Sequence, residues 1–408
     1  NRLTFGHRQF SRGYLPSATL FPRSRLFDNV SYEQMICGYA KQLQFWEREF
    51  AEKKISMFFF GQIELAAIAK WLGVPYRQID TARYQDYWMW VHDDFFMNPM
   101  VARTYDEIED AVDFDMSEPY AFSKGSTKRI FSEMNLFQIL RKIGLLTAHR
   151  IYFILRRHQS RHSFRYFDRF KMFFRSYFLF KKMTSDEFIS LDELRGTQFA
   201  FFPLHKEPEA ALFMMSPEYI NQMSAILSIC RDLPAGVPLV VKEHPKTLGL
   251  RPKAFYDQLR DIKNVKLMNL AESGLDVVRE AALTISITGS AGFEAAVNGK
   301  PVITFGRHNI YNLLPHVETI FDEDQIKPFI DKVFSGDFDE VTAKRDGKRL
   351  IQALLRHCWD MGGAGFKGKF NQGFEEDEIM EKAIEKLLES LEFTDAVNWE
   401  EAGIASSV

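Results

Sequence analysis

The sequence predicts an α/β protein made of two doubly wound domains, and three observations lead there. In the second half, strand candidates QFAFFPLH (198–205), VPLVVKEH (237–244), NVKLMNL (264–270), ALTISIT (282–288) and PVITFG (301–306) alternate with helical patterns, the signature of a parallel sheet covered on both faces. In the first half, KISMFFFG (54–61), QIELAAIAKWLG (62–73) and VPYRQID (74–80) repeat the order strand, helix, Gly, strand. Finally, three of the second-half strands end in ionisable or hydroxyl residues, which is where an open parallel sheet meets its ligand.

Taken in order, residues 31–52 form a long amphipathic helix ahead of the first strand. Ser216-Pro217-Glu218 opens a helix, with Ser as cap and Pro at the first helical position. Ser273 and Asp276 resemble a capping box for a helix over 274–282, and Asp322 caps one over 323–334. Residues 374–390 read as an acidic helix. The expected division is 1–185 as an N-terminal acceptor-binding domain, 195–345 as a C-terminal nucleotide-binding domain, and 346–408 as C-terminal helices packing back toward the first domain, with a disordered tail. The segment 141–182 holds 12 Lys or Arg against one acid, Asp168, with aromatics interleaved. It reads as a solvated helix pair between domains or as a contact with an anionic membrane surface. No nucleic-acid motif accompanies it.

Composition bounds the function. The chain has 408 residues, 46% hydrophobic and 26% charged, and a net charge of −3, which fits a two-domain globular protein and not a bulk polyanion binder. Three Cys, at 37, 230 and 358, lack metal-ligand spacing and exclude a disulfide scaffold. No window approaches the ~20 apolar residues of a membrane span, and no signal peptide is present. Because the chain begins at Asn1 and not at Met, the natural N-terminus, and any targeting segment with it, is expected to lie outside this sequence. These features point to the cytoplasm, at the inner face of the membrane if 141–182 meets lipid. The Asn29-Val30-Ser31 sequon has no meaning in that compartment.

The chemistry gathers at three strand ends. Thr288-Gly289-Ser290 lies between a strand and a helix, where hydroxyls and free N–H groups can hold a phosphate; the alternative is a plain turn with Ser290 as N-cap. Glu294 sits in the first turn of that helix. Lys242, Glu243, His244 and Pro245 end another strand, with Lys246 adding charge; a solvated strand end is the alternative. His205, Glu207 and Glu209 follow a third, and can supply a base or hold acceptor hydroxyls; Glu209 reads equally as a first-turn charge. Gly363-Ala364-Gly365-Phe366-Lys367-Gly368 matches GxGxxG but follows a helical pattern, so it reads as a loop. His92-Asp93-Asp94 reads as a surface turn in preference to a cation site, and no metal is expected.

Together PLHKEPEA, KEHP, and TGSAGFEA followed by GKPVITFG resemble the bacterial capsule and surface-polysaccharide glycosyltransferases, and more closely the group that includes the Kdo transferases. The bacterial polysialyltransferases are more distant. The resemblance covers about 198–335, and related groups share parts of its motifs. It implies the two-domain GT-B fold, with two Rossmann-like domains facing across a cleft, and a CMP-activated sugar acid as donor. It implies that His244 and Pro245, with Thr288, Gly289 and Ser290, hold the cytidine nucleotide, and that Glu294 falls on the Glu of the family's turn-to-helix stretch. From the residues themselves, Lys242 or Lys246 can add charge, and a Glu placed like Glu294 can hold ribose hydroxyls. Glycan or glycolipid is the implied acceptor, with no separate cofactor. The acidic pair before Gly, which serves polysialyltransferase-like enzymes as base, has no match; Asp93-Asp94 is the nearest pair and lacks the Gly. His205, Glu207 and Glu209 are therefore the expected catalytic groups, with Asp93 and Asp94 in reserve. Rival readings are a CDP-glycerol-type phosphotransferase, a UDP-sugar 2-epimerase, and a non-catalytic adaptor in polysaccharide assembly or export.

Overall fold

The computed structural model describes residues 30–61, 63–115, 122–156, 166–207, 210–362 and 378–392. The N-terminal part runs α1 (Tyr32–Glu52), β1 (Phe58–Phe59), α2 (Ile63–Trp71), β2 (Tyr76–Thr81), β3 (Tyr87–Val91) and α3 (Pro99–Glu107), followed by three helices, α4 (Phe122–Ser132), α5 (Leu136–Leu155) and α6 (Tyr166–Met183). The short α7 (Leu191–Leu194) leads into β4 (Ala200–Pro203), α8 (Ala210–Met215), α9 (Gln222–Asp232), β5 (Leu239–Lys242), α10 (Lys253–Asp261), β6 (Val265–Leu267), α11 (Gly274–Glu280), β7 (Leu283–Ser286), α12 (Ser290–Val297), β8 (Val302–Thr304) and β9 (Val317–Thr319). The chain then forms α13 (Ile326–Phe334), α14 (Glu340–Arg356), β10 (Cys358–Asp360) and α15 (Glu378–Leu391).

The expected α/β architecture holds. All five second-half strands form, shortened at their ends, and a sixth, β9, joins them; the sheet is parallel throughout, in the order β6-β5-β4-β7-β8-β9. Counted within this sheet the order is 3-2-1-4-5-6, the dinucleotide-binding arrangement whose ligand crevice opens between the first and fourth strands. Those strands are β4 and β7. Alternation along each strand builds the two faces. Ala200, Phe202, Leu239, Val241, Leu283, Ile285 and Ile303 point into one core, while Phe199, Phe201, Val240 and Val302 point into the other.

The N-terminal sheet is smaller and mixed, in the order β1-β2-β3-β10. Its β1-α2-β2 unit is the βαβ expected from 54–80, with β1 and β2 parallel. Beyond it, β3 turns back antiparallel on β2, and β10, from the other end of the chain, adds antiparallel to β3. Among the described residues this half thus carries one βαβ unit and is completed by the C-terminus. Arg77 donates from β2 to the backbone of Ser390 at 2.7 Å, which seats α15 on this sheet. A boundary at 345/346 falls inside α14.

Two local expectations change. Ser216 makes no side-chain cap; Pro217–Tyr219 is a 3₁₀ turn, and Asn221 caps α9 instead. Asp322 does form a capping box, with Gln325, over a 3₁₀ turn that leads into α13. The basic segment divides differently from the expected domains. Phe131, Met134, Leu179 and Phe180 pack on the C-terminal core, and Met183 is part of it. Ser176 donates to Leu248 O at 2.6 Å and Arg175 to Gly249 O at 3.2 Å. Gly249 takes a φ of +78°, and a Cβ there would lie 2.7 Å from the Ser176 backbone nitrogen, so glycine is what lets α6 dock. Parts of 141–182, the GxGxxG run and the chain beyond 392 lie outside the described residues.

Candidate functional site

A cleft of about 490 Å³ opens at the carboxyl ends of β4 and β5 and at the first turns of α11 and α12. Its walls include Pro203, Leu204, Lys242, His244, Ser273, Ser290 and Glu294, and α4 contributes Thr127, Lys128 and Phe131. The size is that of a small-ligand site, and the place is the one the strand order dictates.

His244 closes β5 and caps the short turn Pro245–Thr247, its Nδ1 accepting from Lys246 N–H at 3.1 Å. Burial pushes its pKa down to about 3, with Lys246, Lys206 and Lys242 adding to the fall. The ring is therefore neutral, with the proton on Nε2, and is a hydrogen-bond donor without a charge. Lys242 donates to Leu270 O at 3.2 Å, and burial lowers its pKa to about 8. Glu294 is 5% exposed, and burial raises its pKa to about 7 against the opposing pull of Arg279 and Arg83.

The 288–290 turn is held by its neighbours. Ile287 N–H and Thr288 N–H both donate to His205 Nε2, at 3.0 and 3.4 Å, and Gly289 N–H donates to Ser286 Oγ at 3.1 Å. A Cβ at Gly289 would lie 2.8 Å from His205 Cε1, so the glycine is needed for the histidine's approach. Gly289, not Ser290, occupies the cap position of α12, and the helix has no side-chain cap. The N–H groups of its first turn, from Ser290 onward, are left for the cleft. Ser290 and Glu294 line the cleft, whereas Thr288 and Gly289 set the turn's shape.

His205 and Glu207 must be reassigned. His205 is 7% exposed, its Nε2 is an acceptor for backbone, and burial lowers its pKa to about 3. It positions the turn and does not face the cleft. Glu207 is fully buried, pairs with Arg251 at 2.8 Å and is bonded by Gln222. A group fixed inside an ion pair is not placed to take an acceptor's proton. Glu209 lies outside the described residues. Asp93 accepts from Phe95 and Met97 N–H and shapes its own loop. No cluster of metal-ligating side chains occurs among the described residues.

The residue that sequence reasoning missed is Arg251. It is 1% exposed and bridges Glu207 and Glu243 at 2.8 and 2.9 Å. It also donates to His205 O, and Tyr256 Oη donates to Glu243 at 2.6 Å. The flanking carboxylates hold the guanidinium's pKa up against burial. One arginine thus ties the end of β4 to the end of β5 and fixes the strand ends on which the cleft is built. Two glutamates at neighbouring parallel strand ends, with an Arg in an otherwise apolar Gly-Leu-Arg-Pro loop, were the available signal.

Several known structures are similar over much of their length. Thermosulfurimonas dismutans KpsC, beta Kdo 2,7 transferase, is 14% identical over 84% of this chain and 88% of that one, with a TM-score of 0.38. The beta Kdo 2,4 transferase of the same KpsC is 9% identical over 67% and 77%, at 0.32. The UDP-GlcNAc 2-epimerase from Methanocaldococcus jannaschii is 10% identical over 80% and 83%, at 0.29. No curated protein sequence matches the chain. Residues 121–314, which build all the walls of this cleft, match the family model described as capsule polysaccharide biosynthesis protein, so this part of the chain is similar to that family.

Proposed function

We propose that the protein is a metal-independent glycosyltransferase of surface-polysaccharide synthesis, whose donor is a CMP-activated acidic sugar such as Kdo. The acceptor is a growing glycan or its lipid-linked precursor, met at the inner face of the cytoplasmic membrane. One observation carries this reading: His244, neutral and with Nε2–H as donor, lies beside Lys242 and the first turn of α12 in one cleft. The three together suit a phosphate whose negative charge grows as its bond to the sugar breaks.

In that reaction an acceptor hydroxyl oxygen forms a bond to the anomeric carbon, and the bond from that carbon to the CMP phosphate oxygen breaks. The electron pair leaves with CMP. His244 donates to the leaving phosphate, Lys242 adds positive charge as the anion raises its lowered pKa, and the N–H groups from Ser290 onward complete the cradle. Pro245 fixes the backbone beside His244, and Glu294 holds the ribose hydroxyls. The hydroxyl proton goes to a base other than His205 or Glu207, both of which are committed to internal contacts.

The test is His244→Ala, measured by CMP release with acceptor present. Loss of one such donor is expected to lower kcat about a hundredfold or more, with the melting temperature little changed. Transfer at the original rate in a folded His244→Ala protein would overturn the reading.

A further inference from the structure

Helix α5 presents an anomaly that the cleft does not use. Leu136, Phe137, Leu140, Ile151, Ile154 and Leu155 lie on one side of this 20-residue helix and are 48–77% exposed. Ile139 is buried on another side, exposed Tyr152 and Leu145 continue the apolar surface past Arg141, and Thr147, midway along the stripe, bonds Tyr166 of α6 at 2.6 Å. An amphipathic surface helix normally shows the reverse, with polar residues outward, and a contiguous exposed apolar stripe marks a contact. At 1.5 Å per residue the stripe is about 30 Å long.

Charge identifies what covers it. The basic residues of α5 are Arg141, Lys142, His149 and Arg150, with no Asp or Glu from Asn135 to Arg156, though Lys142 pairs with Glu133 at 2.9 Å. By angle, Arg141 and Arg150 flank the stripe on its two sides. The neighbouring α6 adds exposed Lys171, Arg175, Lys181 and Lys182 to a helix whose sole acid is Asp168. A second copy of so uniformly cationic a helix would meet it with like charges. An anionic bilayer instead accepts both parts, apolar side chains in the acyl boundary and basic ones at the headgroups. No described helix is long and apolar enough to cross a membrane, so α5 would lie in the interface.

We propose that α5 is the protein's docking surface for an anionic lipid bilayer, with its outer apolar stripe inserted and Arg141 and Arg150 at the headgroups. This deepens the reading of a lipid-linked acceptor, since α6, packed beside α5, bonds the 248–249 loop that follows His244 and so fixes the cleft's orientation to the bilayer.

The experiment is co-sedimentation of the full chain with unilamellar vesicles of phosphatidylcholine alone or with phosphatidylglycerol. The expected result is binding to phosphatidylglycerol vesicles, weakened by high salt and at least tenfold tighter than to phosphatidylcholine. The triple variant Phe137→Ser, Leu140→Ser, Leu155→Ser removes only exposed groups and is expected to lower vesicle affinity at least tenfold with an unchanged circular dichroism spectrum; Arg141→Glu weakens binding on the anionic vesicles alone. No binding to phosphatidylglycerol vesicles, or a triple variant that binds like the parent, would overturn the proposal. So would a concentration-dependent dimer abolished by the triple variant, which would assign the stripe to a second copy. Vesicle binding needs no nucleotide, so its failure leaves the donor reading standing, and failure of CMP to bind leaves the docking surface standing.

Discussion

Replacing Arg251 by Met is expected to destabilise the protein by about 3–5 kcal/mol, because it strands two buried carboxylates. Glu207 is fully buried and Glu243 nearly so, and Arg251 is the cation that both contact. Methionine fills much of the volume but offers no donor, so each carboxylate must take up a proton or draw in water. The damage would spread to the cleft, because Arg251 also holds His205 O, and His205 holds the 288 turn. Chemical denaturation measures the loss directly. A triple variant, Arg251→Met with Glu207→Gln and Glu243→Gln, is expected to recover a good part of it, since the uncompensated charges are then gone. A single variant as stable as the parent would show that the triad carries no such role.

Glu294→Gln is expected to stabilise the protein in a pH-dependent way. The folded-state pKa of Glu294 lies near 7, above its ordinary 4.5. The folded protein therefore holds this proton more tightly than the unfolded chain does. Stability falls as pH rises from about 4.5 to 7, and above that range the full cost of a buried carboxylate is present. The shift corresponds to about 3 kcal/mol, which glutamine removes at pH 8. At pH 4, where both states are protonated, the two proteins should melt nearly together. An equal difference at both pH values would mean that burial does not set the titration of Glu294. If the carboxylate also holds ribose, the same substitution weakens nucleotide binding while it stabilises the fold.

The positions of the C-terminal strands were readable because most are short apolar runs between helical patterns, three of them ending in polar residues, as VVKEHP and TISITGS do. Their order was not, because the adjacency of β4 and β7 is a contact across more than eighty residues, which no local periodicity encodes. Strand β9 is not legible in the sequence because it is three residues long and two of them are polar, Val317-Glu318-Thr319. The N-terminal sheet was half legible: its βαβ unit is local, but its last strand comes from Cys358–Asp360.

The site divided in the same way. Lys242, His244, Ser290 and Glu294 reach the cleft because the register of a parallel strand, or the first turn of a helix, puts them there. His205 carried the same signal of a polar residue at a strand end, yet it turns inward to accept two backbone N–H groups. Side-chain direction just past a strand depends on what the next element leaves unbonded, and here that element lies 82 residues away. Arg251 was invisible for the opposite reason, since in sequence it is one basic residue in a loop. The 141–182 segment showed its charge but not its docking, because aromatic residues occur on both sides of its helices.

The measurement that bears most directly on the central claim, a cytidine donor held by His244, Lys242 and the first turn of α12, is thermal melting of the full chain with CMP, CDP, UDP and GDP in turn. CMP at a hundred times its dissociation constant is expected to add about 2.7 kcal/mol of stability, with a much smaller gain in His244→Ala and none from UDP or GDP. Stabilisation by UDP alone would contradict the account.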